Sequence, residues 1–128
     1  MQARTHLSID PSLSGRCVEL AEDAATLELM TSKAMVADEH GLVHGGFIFS
    51  LADHAAMLAV NHPNVVLGAA QSKFLKPVVV GQKVVAHARV DRREGKKIFV
   101  QVVVKAEEAP VFEGEFTCFV PPKHVLDR

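Results

Sequence analysis

The sequence predicts an α+β domain in which one long helix, over about residues 45–60, is wrapped by a curved antiparallel β-sheet. From Phe47 to Val60 apolar residues cover almost every side of a helical wheel, the pattern of a helix surrounded by protein rather than one lying on a surface. Everything beyond Pro63 reads as strand, with apolar and polar residues alternating. Short turns join those strands, and strands so connected must be antiparallel neighbours. At about 1.5 Å per residue the helical stretch reaches roughly 21 Å, short of the about 20 apolar residues that span a bilayer, so what surrounds it is protein.

With 128 residues and 48% hydrophobic content, the chain suits one domain with a real core, residues 1–128 with 1–15 as an N-terminal arm. Fourteen basic against fifteen acidic residues leave a net charge of −1. Nothing global therefore pulls the chain toward nucleic acid or an anionic membrane, and neither is expected as a partner. The N-terminus has no apolar segment of signal-peptide length, and Cys17 and Cys118 show no metal spacing, so the reading is a reduced, cytoplasmic protein.

Residues 1–15 carry Pro11, Gly15 and scattered polar side chains, which predicts a loosely packed arm with at most a short helical turn and little function. Arg16–Leu20 reads as a short strand. Ala25–Thr31 sets Ala25, Leu27 and Leu29 against Thr26, Glu28 and Met30, a half-buried strand pattern. The polar stretch Ala37–Val43 is a loop that delivers the chain to Gly45-Gly46 at the helix start. Asn61-His62-Pro63-Asn64 stops the helix, since proline biases the preceding residue out of helical geometry. Four strands follow, Val65–Leu75, Lys83–Val90, Lys97–Lys105 and Val111–Val120, with turns at Val80–Gly81–Gln82, Arg93–Glu94–Gly95 and Glu107–Pro110.

One buried helix inside a strongly curved antiparallel sheet is the hotdog architecture, although an ordinary two-layer α+β sandwich would give a similar pattern. The motifs decide between them. His44-Gly45-Gly46, then Ser50-Leu51-Ala52-Asp53, and later Phe74-Leu75-Lys76-Pro77 with Gly81, resemble the phenylacetate-pathway type of hotdog acyl-CoA thioesterase over about residues 38–120. The resemblance implies that the Gly45 N–H polarises a thioester carbonyl and that the Asp53 carboxylate attacks it or activates water. Relatives usually carry Asn or Gln where this chain has Asp38, beside the substrate, and an ionised Asp38 cannot donate a hydrogen bond there. Relatives that position water with a Ser or a Thr have it where this chain has Leu67 or Met57, which leaves Ser72 or Gln71 as the candidates for that task.

The chemistry also follows from the residues. Hydrolysis of a thioester puts negative charge on the carbonyl oxygen, so a catalyst needs fixed donors there and a base or nucleophile opposite. The first turn of a helix offers free N–H groups at the positive end of its dipole, and Gly45 and Gly46 let a substrate approach them. The alternative is that the two glycines merely permit a tight turn. Asp53, set among apolar residues, should have its pKa raised by desolvation, unless Ser50 or a nearby backbone group satisfies it. Eight residues separate Gly45 from Asp53, about 12 Å along one helix, too far for both to serve one carbonyl. Two central helices related by a two-fold axis would bring Gly45 of one subunit to Asp53 of the other. A homodimer, itself paired into a homotetramer, is the expected assembly.

His44 is read as ordering the turn, with a contact to substrate as the alternative. His54 points about 100° away from Asp53 and is read as packing or solvent-facing. His40 and His44 are four residues apart but flank a loop without a third ligand, so no metal site is expected. There is no nucleophilic-serine, phosphate-loop or dinucleotide motif. Acyl-CoA is the expected substrate and partner, with no other cofactor. Lys76, Arg92, Arg93, Lys96 and Lys97, with Lys73, are candidates to receive the CoA phosphates, an ordinary solvated hairpin being the alternative. A non-catalytic acyl-CoA sensor and a hydratase share the fold. The fifteen N-terminal residues are too few for the helix-turn-helix that a sensor repressor needs, and a hydratase would be expected to use a His-centred site.

Overall fold

The computed structural model describes residues 1–127, and the end of the expected domain, residue 128, lies outside the described residues. In chain order the elements are helix α1 (Pro11–Ser14), strands β1 (Arg16–Ala21) and β2 (Ala24–Met30), a single 3₁₀ turn (Lys33–Met35), helix α2 (Gly45–Val60), and strands β3 (Val66–Phe74), β4 (Lys83–Glu94), β5 (Lys97–Ala106) and β6 (Ala109–Phe119). The strands form one sheet in the order β1-β2-β4-β5-β6-β3, antiparallel throughout. Helix α2 touches all six of them. This is the hotdog fold, with the helix where its all-round apolar pattern places it.

The alternation seen in the sequence sets which side of each strand meets the helix. Leu27 and Leu29 on β2, Val84 and Ala86 on β4, Val100, Val102 and Val104 on β5, and Phe112 and Phe116 on β6 are buried, because side chains two apart share a face. On the helix, Leu51, Ala52, Ala55, Ala56 and Ala59 are buried too. The run of alanines lets strands come close to the helix axis, and the larger residues fill the space between.

Three expectations are corrected. The arm is not loose. Helix α1 starts at Pro11 behind Asp10, whose carboxylate accepts the Ser12 N–H, as an N-cap does. Asn61, which ends α2 in the left-handed region at φ 52°, accepts the Arg4 N–H at 2.7 Å and donates to the Gln2 carbonyl at 3.0 Å. Gly15, at φ 89°, lets the chain turn where Leu51 fills the space its Cβ would take. The arm's order comes from long-range polar contacts, which leave no periodicity in the sequence.

The second correction concerns β3 and β4, which short connections had made neighbours. They are not: β3 pairs with β6, and β4 lies between β2 and β5. Residues 75–82 are a crossover, tied to the 41–43 loop through Val43 N–H to Val78 O and Val80 N–H to Gly41 O, both 2.8 Å, and to Thr31, whose hydroxyl donates to Gln82 O at 2.6 Å. The third concerns the last hairpin, whose turn is two residues, Glu107 and Glu108, both at positive φ. Turns of that hand match the twist of the strands, so Ala109 and Pro110 belong to β6.

The two edge strands depart from this burial pattern: β1 has no buried residue, and on β3 every residue from Gly68 to Phe74 is exposed. Strand β3 is an open sheet edge, the feature that proteins cover, charge or pair with another chain. The core itself is tested at Leu51, fully buried under Gly15: Leu51→Ala should cost about 2–5 kcal/mol, read as a lowered urea midpoint at unchanged slope, and a cost below about 1 kcal/mol would show that the helix is not packed as described.

Candidate active site

The loop before α2 is held by backbone bonds. His44 N–H donates to Met35 O at 2.8 Å, and isolated bridges join Val36 to Val43 and Leu42 to Val79. Asp38 belongs to this bracing. Its Oδ1 accepts the N–H of His40 at 2.9 Å and of Leu42 at 3.2 Å. Asp38 thus accepts two bonds within its own loop, where two amides converge on one of its oxygens.

Helix α2 begins with His44 at its N-cap, and the His44 side chain makes no cap bond. Among the described residues no hydrogen bond takes up the N–H of Gly45 or Gly46, so both remain free at the positive end of the dipole. Gly45 lets the Phe74 ring lie close: a Cβ there would stand 3.1 Å from it, and the ring would have to shift. At Gly46 a Cβ would meet the His44 ring at 3.1 Å, and that ring also packs edge-on to Phe47, at 6.3 Å between centroids. His44 is thus placed over the first turn on the exposed side.

Asp53 lies two turns on. One turn before it, Phe49 packs on Phe112 and Phe116 of β6, with centroids 6.4 and 5.4 Å apart, so this face of the helix looks at β6. Asp53 Oδ1 is buried without a hydrogen-bond partner among the described residues, and burial pushes its carboxyl up to about 6. Ser50 does not satisfy it, because the Ser50 hydroxyl pairs with that of Ser14 at 2.7 Å. An unpaired buried carboxylate is costly, and groups of this kind cluster at functional sites. Cys118 is a neighbour that sequence reasoning missed. Its thiol is pushed up to about 12, first by burial and then by the charge of Asp53, so it stays protonated. Strand alternation put Cys118 on the same face as Phe116, but no sequence signal set it near Asp53.

His54 serves structure. It is buried, its Nδ1 lies 3.1 Å from Ser14 O, and its ring stacks on His6 at 6.0 Å. Ser72 faces the helix side of the exposed β3, opposite Gly114, one pleat from Phe74. The two arginines are already engaged by carboxylates. Arg92 is held by Asp91, Glu94 and Glu115 and lies 4.0 Å over the Phe99 ring, and Arg93 pairs with Asp23 at 2.8 Å. Asp91 and Glu94 are neighbours on the same strand, whereas Glu115 comes from β6 and Asp23 from the β1–β2 hairpin, out of reach of a count of local charges. Lys76, Lys96 and Lys97 are exposed with no ion pair among the described residues. Among those residues, too, no cluster of three or more His, Cys, Asp or Glu is placed to hold a metal ion, and no helix is long and apolar enough to cross a membrane.

Register fixes where these groups stand along β3. Phe74, against Gly45, is at one end; Val66 and Leu67 are at the other, where Leu67 pairs with Cys118 beside Asp53 and Phe119 pairs with both Val66 and Lys97. The ends are roughly 27 Å apart at about 3.4 Å per residue.

A sequence profile described as "Thioesterase superfamily" matches residues 40–113, more than half of the chain. Among curated relatives, a methylthioribose-1-phosphate isomerase of Aquifex aeolicus is 57% identical over 91% of this chain but only 25% of its own length. The transcription factor FapR of Caldanaerobacter subterraneus subsp. tengcongensis is 33% identical over 84% of this chain and 50% of its own. The chain thus spans a quarter to a half of these relatives. Among solved structures, the uncharacterized protein PH1136 from Pyrococcus horikoshii superposes with a TM-score of 0.97 at 52% identity, over 99% of this chain and 98% of its own. A mutant of the phenylacetic acid degradation protein PaaI from Thermus thermophilus does so with 0.80 at 28% identity, over 88% and 100%.

The burial of Asp53 has a measurable effect on stability. The folded carboxyl holds its proton up to about pH 6 and the unfolded one only to 3.8, so folding takes up a proton between these values, and the cost of the ionised form is full above about 6 and absent below 3.8. Asp53→Asn should therefore stabilise the fold at pH 8, by at most about 3 kcal/mol before solvent screening, and leave it unchanged near pH 3.5. Urea melts of both proteins at the two pH values check this, and an equal difference at both would remove desolvation as the cause.

Proposed function

The chain belongs to the Thioesterase superfamily, and from that premise we propose that it hydrolyses an acyl-CoA thioester to the free acid and coenzyme A, as the phenylacetate-pathway type does. The observation that carries this reading is Asp53: a buried carboxylate oxygen without a partner, poised near neutral pH, on a helix whose first two N–H groups are free. Gly45 N–H would hold the carbonyl oxygen as charge develops on it. Asp53 would either take a proton from the attacking water and return it to the thiolate as the C–S bond breaks, or attack the carbonyl carbon itself to give a mixed anhydride and the thiolate, the anhydride then being hydrolysed by water, which supplies the thiol proton. His44 and Gly46 would border the carbonyl, and Ser72 would hold water from β3.

Gly45 and Asp53 are about 12 Å apart along the helix, so one carbonyl needs two chains. The open edge of β3 supports this. If it pairs antiparallel with its own copy across a two-fold axis near Ala70, the middle of Val66–Phe74, Phe74 and Gly45 of one subunit come beside Leu67, Cys118 and Asp53 of the other. The same operation brings Lys96 and Lys97 of one chain toward the start of α2 in the other, where they would receive the CoA phosphates. A second reading, a non-catalytic acyl-CoA binding module, is favoured by the match to a transcription factor over 84% of this chain.

Asp53→Asn should lower turnover of the best acyl-CoA by at least about a hundredfold, and wild-type kcat/KM should rise with pH through about 6 as the base ionises. Binding of acyl-CoA without release of thiol by the wild type would decide for the second reading. Mixing inactive Asp53→Asn with inactive Gly45→Val tests the shared site. After subunit exchange one site per heterodimer is intact, so about a quarter of wild-type activity should return in a random equimolar mixture. Silence despite verified exchange and two folded variants would refute the cross-subunit site.

A further inference from the structure

Gly45, whose N–H is free, lines a cleft of about 320 Å³ between the start of α2 and the 75–78 crossover. Its lining is almost wholly apolar. Leu42, Val43, Ile48, Val78 and Val111 form the walls, Phe74 stands beside Gly45, and Lys76 is the one charged side chain. The size and the apolar character are those of a small-molecule subsite. Around its mouth four large apolar side chains are exposed: Leu42 by 39%, Phe74 by 56%, Leu75 by 43% and Val79 by 50%. Such a cluster calls for an occupant.

We infer that this cleft receives the acyl group of the thioester and that Phe74 and Leu42 set its length; the inference rests on the hydrolase reading above. The chemistry distinguishes the two arms of such a substrate. A pantetheine arm carries two amides that need hydrogen-bond partners when they leave water, and the cleft supplies no polar side chain except the exposed Lys76. A hydrocarbon acyl chain or an aryl ring needs none, and it starts one bond from the carbonyl that Gly45 would hold. The occupant is therefore an apolar acyl group without a distal hydroxyl. Phe74 is fixed as a wall rather than a free lid. Its ring packs edge-on against the fully buried Phe112, at 5.1 Å between centroids and 74° between planes, and Gly45 gives it room to lie against the helix. Leu42 faces it from a loop whose backbone is braced by Asp38 and Val79.

The test is hydrolysis of a straight-chain acyl-CoA series by the wild type, Phe74→Ala and Leu42→Trp, with a terminally hydroxylated acyl-CoA alongside. For the wild type kcat/KM should climb about fourfold per added methylene, as burial of apolar surface predicts, and then level off where the cleft is full. The hydroxylated substrate should fall below its parent by about tenfold or more. Phe74→Ala should move the plateau to longer chains and Leu42→Trp to shorter ones. Both positions are exposed, so the variants should fold, which circular dichroism verifies. If kcat/KM changes by one common factor at every chain length, the cleft holds the invariant pantetheine arm and the proposal fails. It fails equally if both variants keep the wild-type profile. A wild type that hydrolyses none of the series would instead overturn the hydrolase reading, and this inference with it.

Discussion

Burial of one helix on nearly all sides is the constraint from which the other features follow. Six strands can close round α2 only because its sheet-facing positions are small or well-fitting aliphatics, Ala52, Ala55, Ala56 and Ala59 among them. In such surroundings each polar group on the helix must find a partner or carry a cost. Ser50 and His54 find theirs in α1, through the Ser14 hydroxyl and carbonyl. That is why the N-terminal arm is ordered although its own sequence has little periodicity. Asp53, on the face turned toward β6, finds none. Its place there costs stability rather than adding it.

The edge strand β3 is the other unfinished part. The crossover from residue 75 to 82 carries the chain from β3 at one edge to β4 in the middle of the sheet, and it lies against the loop that presents Gly45. The crossover and the helix start are thus one structural unit, joined by the Phe74 ring and by backbone bonds. A second chain paired along β3 would cover the exposed edge, enclose Asp53 further and bring the two halves of the proposed site together in one step.

Surface charge shows how far tertiary neighbours alter the meaning of local composition. Four basic residues surround the β4–β5 turn, yet Arg92 and Arg93 are taken up by acids from β6 and from the β1–β2 hairpin. Planar guanidinium groups suit such multiple carboxylate contacts better than lysines do, and among the described residues the two neighbouring lysines have no ion pair.

The sequence by itself determined the helix, the six strands close to their observed bounds, the alternation of β2, β4, β5 and β6 that divides each into two faces, and the His-Gly-Gly and Leu-Ala-Asp motifs at the candidate site. These are legible because periods of 3.6 and 2 and local turn chemistry are written along the chain. Only the tertiary structure decided that β3 lies beside β6 rather than β4, that Cys118 neighbours Asp53, that Asp38 braces its own loop, that Ser50 is already paired and that the arm is pinned by Asn61. Each of these depends on a contact between residues far apart in the chain or on a choice among competing polar partners. Periodicity states which face of an element is buried, and the choice of what is buried against it is made by packing and hydrogen-bond satisfaction across the whole fold.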